Sequence, residues 1–69
     1  MMEGENEFYK LSDVARELLK WIYKKRKVYP INGNALIELL NAGMIIWQED
    51  ESVVLTEKGL KCSLFFFNA

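Results

Sequence analysis

The 69-residue chain has no histidine, a single cysteine (Cys62) and a single proline (Pro30). One cysteine excludes an intrachain disulfide, and without histidine or a second thiolate the usual zinc ligand sets are missing. The side chain most often used to move protons near neutral pH is absent, as is any glycine-rich phosphate loop. Cys62 has Lys58 and Lys61 nearby in sequence but no candidate base, so its thiol reads as structural. No catalytic constellation, cofactor site or metal site is expected, and the chain reads as a non-enzyme. Long apolar runs are also missing, since none approaches the roughly 20 residues needed to cross a bilayer. One thiol and an acidic, polar first segment in place of a secretory signal suit a cytoplasmic protein with no membrane attachment.

What the chain does have is apolar mass. Hydrophobic residues make up 51% and aromatic residues 13%, enough for one small domain. A domain of this size buries only about 60% of the surface its unfolded chain exposes, so it needs a dense core or a partner copy.

Net charge is −1, from nine basic and ten acidic residues, but the two signs are segregated. Residues 8–27 hold Lys10, Arg16, Lys20, Lys24, Lys25, Arg26 and Lys27 against only Asp13 and Glu17. From Val28 onward, Lys58 and Lys61 face five acids. A focused basic segment attracts polyanions even when the total charge is near zero.

Residues 1–7 carry three glutamates and read as a disordered acidic tail ahead of a single domain over residues 8–69. Ser12 is a candidate N-cap for a helix over residues 13–26, with Val14, Ala15, Leu18, Leu19 and Ile22 on one face. Residues 28–31 read as extended, because a proline disfavours helix in the residue before it. Asn32-Gly33-Asn34 is a turn whose last residue is a candidate N-cap. A second helix spans residues 35–42, with Leu36, Ile37, Leu39 and Leu40 inward, and Gly43 ends it in the left-handed region. Residues 44–47 and 53–56 form a hairpin around an acidic tip, Glu49-Asp50-Glu51, with Met44, Ile46, Val53 and Leu55 expected to face inward. Thr56 is a candidate cap for a short final helix through Lys58, Leu60, Lys61 and Leu64, after which the chain closes on Phe65-Phe66-Phe67, and Leu64 to Phe67 make an apolar strip.

The stretch ALIELLNAGMIIWQEDESVVLTEKGL, residues 35–60, resembles the second half of a winged helix-turn-helix domain. Leu39-Leu40-Asn41-Ala42-Gly43-Met44-Ile45 is similar to the end of that superfamily's recognition helix, and Leu55-Thr56-Glu57-Lys58-Gly59 to the motif after its wing. The resemblance implies an α+β fold of two to four helices with a two-stranded wing, and a DNA-binding role in transcription regulation. It also implies two helices before the recognition helix. Only one strong helical pattern precedes Asn34, so either residues 8–11 supply the other or the fold is a trimmed variant.

Three groups of residues are candidates for function. Lys20, Lys24, Lys25, Arg26 and Lys27 either contact the phosphates of double-stranded DNA or form a solvated helix end favoured by the helix dipole. Asn32, Asn34, Glu38 and Asn41 either read base edges or form a plain polar face, and the presumed recognition helix has no cation to anchor a phosphate. Leu64, Phe65, Phe66 and Phe67 form a homodimer or partner contact, or fold back over their own core. Trp21, Tyr23, Tyr29 and Trp47 can stack bases or fill the core, and only Trp21 lies off the apolar stripe and is expected to be exposed. The acidic tip opposes phosphate, so a bound duplex would leave the wing pointing away. The wing and the aromatic C-terminus equally suit a protein-interaction module, or a small inhibitor of another nucleic-acid-binding protein.

Overall fold

The computed structural model describes residues 4–67 as four helices and one antiparallel hairpin. Their order is α1 (Glu5–Lys10), α2 (Asp13–Lys25), α3 (Asn34–Asn41), β1 (Ile45–Trp47), β2 (Val53–Leu55) and α4 (Glu57–Phe67). The architecture is a small α+β domain of winged-helix-like arrangement. Phe8, Leu11, Ala15, Leu19, Ile22, Leu36, Leu39, Met44, Ile45, Val53 and Cys62 form one buried cluster drawn from every element. No helix among the described residues is long and apolar enough to cross a membrane.

Helix α2 starts as its sequence dictates. The Ser12 hydroxyl accepts a hydrogen bond from the Ala15 N–H at 3.2 Å, which satisfies one of the amide donors that every helix start leaves unpaired. Ala15, Leu19 and Ile22 are buried along it. Val14 and Ile37, both expected inward, are exposed. Each lies one position off its helix's buried stripe, and with so few neighbouring elements only a narrow stripe of each helix is covered.

The N-terminal expectation needs correction from residue 4 onward. Glu5–Lys10 are helical, with Glu5 and Glu7 in the first turn, where carboxylates suit the positive end of the helix dipole. Glu7 pairs with Lys58 of α4 at 2.8 Å, and Phe8 is buried. Arg16 closes the other end of α1 by donating to the carbonyls of Phe8 (3.2 Å) and Tyr9 (2.8 Å). Residues 1–3 of the expected tail lie outside the described residues.

Three helices thus precede the hairpin, but not in the spacing that the resemblance implies. The tight connection, Leu11-Ser12, joins α1 to α2. Between α2 and α3 the chain runs through residues 26–33 without a helix. In that link Val28 forms an isolated antiparallel bridge with Val53, with N–H to carbonyl distances of 3.2 and 2.8 Å. Gly33 rather than Asn34 is the cap of α3, and it makes no side-chain cap bond.

The end of α3 is a Schellman turn. Gly43 has φ 74°, its N–H donates to the Leu40 carbonyl, and the Met44 N–H donates to the Leu39 carbonyl, both at 3.1 Å. Helix carbonyls that would otherwise lack donors are thereby satisfied, and the residue after the glycine turns back onto the last turn. Met44 is fully buried in consequence. Using Met44 in the turn moves the strand parity by one residue. Ile45, opposite Leu55, therefore faces the core, while Ile46, opposite Val54, is exposed.

Thr56 caps α4 and ties it to α3. Its hydroxyl accepts from the Gly59 N–H (3.1 Å) and donates to the Gly43 carbonyl (2.6 Å), while its own N–H donates to the Met44 carbonyl (3.0 Å). Gly59 is buried against that same carbonyl, and a Cβ there would collide with the Met44 backbone. Helix α4 also continues through the strip expected to follow it, so Phe65, Phe66 and Phe67 are helical.

Because the obstacle to a side chain at Gly59 is backbone, Gly59→Ala should be among the most damaging small substitutions in the chain. A loss of about 3 kcal/mol or more is expected, at the upper end for overpacking. At about 4–8 °C per kcal/mol for a domain of this size, thermal unfolding should shift by more than 10 °C. An unchanged melting temperature would show that α4 does not sit on Met44.

Candidate nucleic-acid interface

The C-terminal turn of α2 and the residues after it carry the basic segment. Lys24, Lys25, Arg26 and Lys27 are exposed and Lys20 is half-buried. Lys20, Lys24, Lys25 and Arg26 make no ion pair among the described residues, nor does Lys10 on α1, whereas Arg16, Lys27, Lys58 and Lys61 each do. Arg26 is the residue that ends α2, with φ 74° and ψ −38°. That conformation is strained for any residue with a Cβ, at a cost of order 1 kcal/mol or more.

Lys27 is already engaged. Its ammonium pairs with the Asp50 carboxylate at 3.0 Å, and the Tyr29 hydroxyl donates to the same oxygen at 2.9 Å. The Ser52 N–H and hydroxyl both donate to the other Asp50 oxygen. These donors hold the Asp50 carboxyl well below the usual carboxylate range, the Ser52 hydroxyl first and the Lys27 ammonium next. Asp50 in turn raises the pKa of both Lys27 and Tyr29 by hydrogen bonding. The acidic tip therefore leans on the basic helix end rather than away from it. The Val28–Val53 bridge decides this, because it aligns the link with β2 and brings Lys27 and Tyr29 to the hairpin loop.

Of the four candidate base readers, Glu38 and Asn41 lie beside the start of α2, away from the cations at its end. Asn32, Asn34 and Asn41 are exposed. Glu38 is not available: Oε1 accepts the Ser12 N–H (2.9 Å) and Oε2 accepts the Ser12 hydroxyl (2.7 Å). Those two bonds, the backbone one first, lower the Glu38 pKa. In a capping box a glutamate three residues into the helix takes the cap residue's N–H. Ala15 holds that position in α2, and Glu38 of α3 supplies the carboxylate instead. Glu38 and Asn41 share a shallow hollow with Glu7, Lys10 and Leu11, beside the start of α2. Lys24 lies twelve residues beyond Ser12, roughly 18 Å along a helix axis at about 1.5 Å per residue.

The C-terminal strip is divided. Phe66 stacks on Phe8 with centroids 3.9 Å apart and planes 8° from parallel, and Phe67 meets the same ring edge-on at 5.7 Å. Those two pack against their own core, as in the fold-back alternative, and stay half-buried. Leu64 and Phe65 remain exposed. Among the other aromatics Trp21 is exposed as expected, but so are Tyr29 and Trp47, and only Tyr23 is half-buried. Burial pushes the Cys62 thiol up to about 11, so it stays protonated and poorly reactive at neutral pH. Among the described residues no group of three or more acidic or cysteine side chains is placed to hold a metal ion.

Comparison with known proteins gives no match. No family profile fits the chain, and no curated protein or solved structure is significantly similar to it.

Two outcomes follow from this geometry. Glu38→Ala should lower thermal stability by uncapping α2 and leave nucleic-acid affinity unchanged, whereas a base reader would lose about tenfold or more on its preferred sequence alone. Asp50, with its depressed pKa, contributes stability that is fully present above its ordinary value of 3.8 and is lost as pH falls through the lower folded value. Unfolding curves of the native chain and Asp50→Asn should therefore differ at neutral pH and converge in acid. A gap that is constant with pH would mean the ion pair and its hydrogen bonds do not stabilise the hairpin.

Proposed function

We propose that the chain is a small DNA-binding protein of winged-helix-like form, a transcriptional regulator that grips phosphates through the basic end of α2. The observation that carries this reading is the set Lys20, Lys24, Lys25 and Arg26, which make no ion pair among the described residues. The chain holds ten acids for nine bases, so a shortage of carboxylates does not explain it. Unpaired cations crowded on one helix end repel each other and gain most from a polyanion, whose bound counterions they release. The strained backbone of Arg26 fits the same reading, since a glycine there would relieve the strain but remove a charge.

A second reading rests on the exposed half of the C-terminal strip. Leu64 is 45% and Phe65 61% exposed, and the Phe65 ring lies 4.9 Å from Phe66, which also packs against exposed Tyr9. This apolar patch suits a second copy of the chain or a protein partner. A homodimer formed there would present two basic ends to one duplex. Exposed Glu49 and Glu51 at the hairpin tip suit a protein-interaction module, or an inhibitor that occupies another protein's nucleic-acid site.

A salt titration of fluorescent duplex binding, with mass measured on the same sample by size exclusion, separates these readings. For phosphate contact, log affinity falls linearly with log salt. Neutralising Lys24, Lys25 and Arg26 to glutamine should flatten the slope by about 0.9 per lost contact. Affinity indifferent to salt, or none for any duplex at low salt, would refute the DNA reading and leave the protein-partner reading standing.

A further inference from the structure

Among the described residues, Trp21 is the exposed aromatic with a cation over its ring. The residue is 54% exposed, and the Lys25 ammonium rests over the ring, 4.9 Å from the centroid. Lys20, Lys24 and Glu17 line the hollow beside it. The grouping follows from helical geometry, because positions three and four residues apart share a face. Tyr29 is also exposed, but its hydroxyl is held by Asp50 beside the acidic hairpin tip, where a phosphate would be repelled.

We infer that this face of α2 binds unpaired nucleic acid, with a base stacked on Trp21 and the neighbouring phosphates on Lys20, Lys24 and Lys25. The phosphate contacts rest on the nucleic-acid reading above, and the stacked base goes beyond it. A closed duplex offers phosphates to this face but buries the flat surfaces of its bases in its own stack. A single strand offers both. Stacking an aromatic ring against a base is sequence-tolerant, since every base has a π-face. The ring already attracts a cation to its surface, so a base arriving there displaces or shares Lys25, and the ammonium meets a phosphate instead of water. Glu17, the acid of the hollow, suits the exocyclic amine of a base rather than a phosphate.

The test uses the full chain with a single-stranded oligonucleotide and a duplex of matched length and salt. Trp47→Phe leaves Trp21 as the only indole, so its fluorescence reports the site directly. Single strand should quench it more than duplex does. Trp21→Leu should weaken single-strand binding about tenfold, the loss of one base stack, and leave the salt slope unchanged. Trp21→Phe should recover most of that loss, and melting curves of both variants should match the native chain because the ring is exposed. Equal affinity for both ligands, no quenching and an indifferent Trp21→Leu would overturn the stacking inference. If Lys24→Gln with Lys25→Gln still flattened the salt slope, the phosphate reading would survive that result. Binding of neither ligand at low salt would overturn both.

Discussion

The architecture depends on the backbone of Met44 being held from two sides. From α3 comes the Schellman turn, in which Gly43 takes φ 74° and the Met44 N–H returns to the Leu39 carbonyl. From α4 come the Thr56 N–H on the Met44 carbonyl and Gly59 packed against it. Two helix ends and the start of the hairpin are fixed by one residue's peptide groups. This is why the Leu-Leu-Asn-Ala-Gly-Met-Ile and Leu-Thr-Glu-Lys-Gly segments belong together. The first ends a helix abruptly, and the second starts another close enough to share its hydrogen bonds.

A second clamp organises the opposite side. Phe8, on a helix of only six residues, stacks with Phe66 and meets Phe67, while the Arg16 guanidinium lies 5.3 Å from its ring centroid. So short a helix is not stable alone. It forms because its ring completes the aromatic surface of α4, and because Arg16 and Lys58 hold its two ends. The same packing takes half of the C-terminal strip out of solvent and leaves Leu64 and Phe65 outside.

The charges are sorted by this scaffold into engaged and open sets. Lys27 is drawn to Asp50, Lys58 to Glu7 and Arg16 to the end of α1. Apart from Lys10 on α1, the open cations lie on the C-terminal half of α2, where a polyanion is proposed to bind. The acidic loop meets the basic segment at Lys27, just past the end of α2, where Asp50 takes up its ammonium.

Much of this was legible in the residues. The bounds of α2 and its Ser12 cap, the stop at Gly43, the hairpin around an acidic tip and the Thr56 cap all follow from local chemistry, which acts within four or five residues. So does the exposure of Trp21, which lies off the apolar stripe of its helix. The sequence by itself also determined that the cations cluster in one segment. What it could not determine were contacts between residues distant in the chain. Glu38 looked like an outward polar residue until α3 was placed beside Ser12, 26 residues away. Asp50 and Lys27 are 23 apart, and only the bridge from Val28 to Val53 brings them together. Ile46 pointed inward on alternation alone, but Met44 was spent in the turn, and a shift of one residue exchanges the two faces of a strand. Helix α1 and the fate of Phe66 and Phe67 were likewise decided by each other. Neither segment buries its rings alone, and only the packed structure shows that each covers the other.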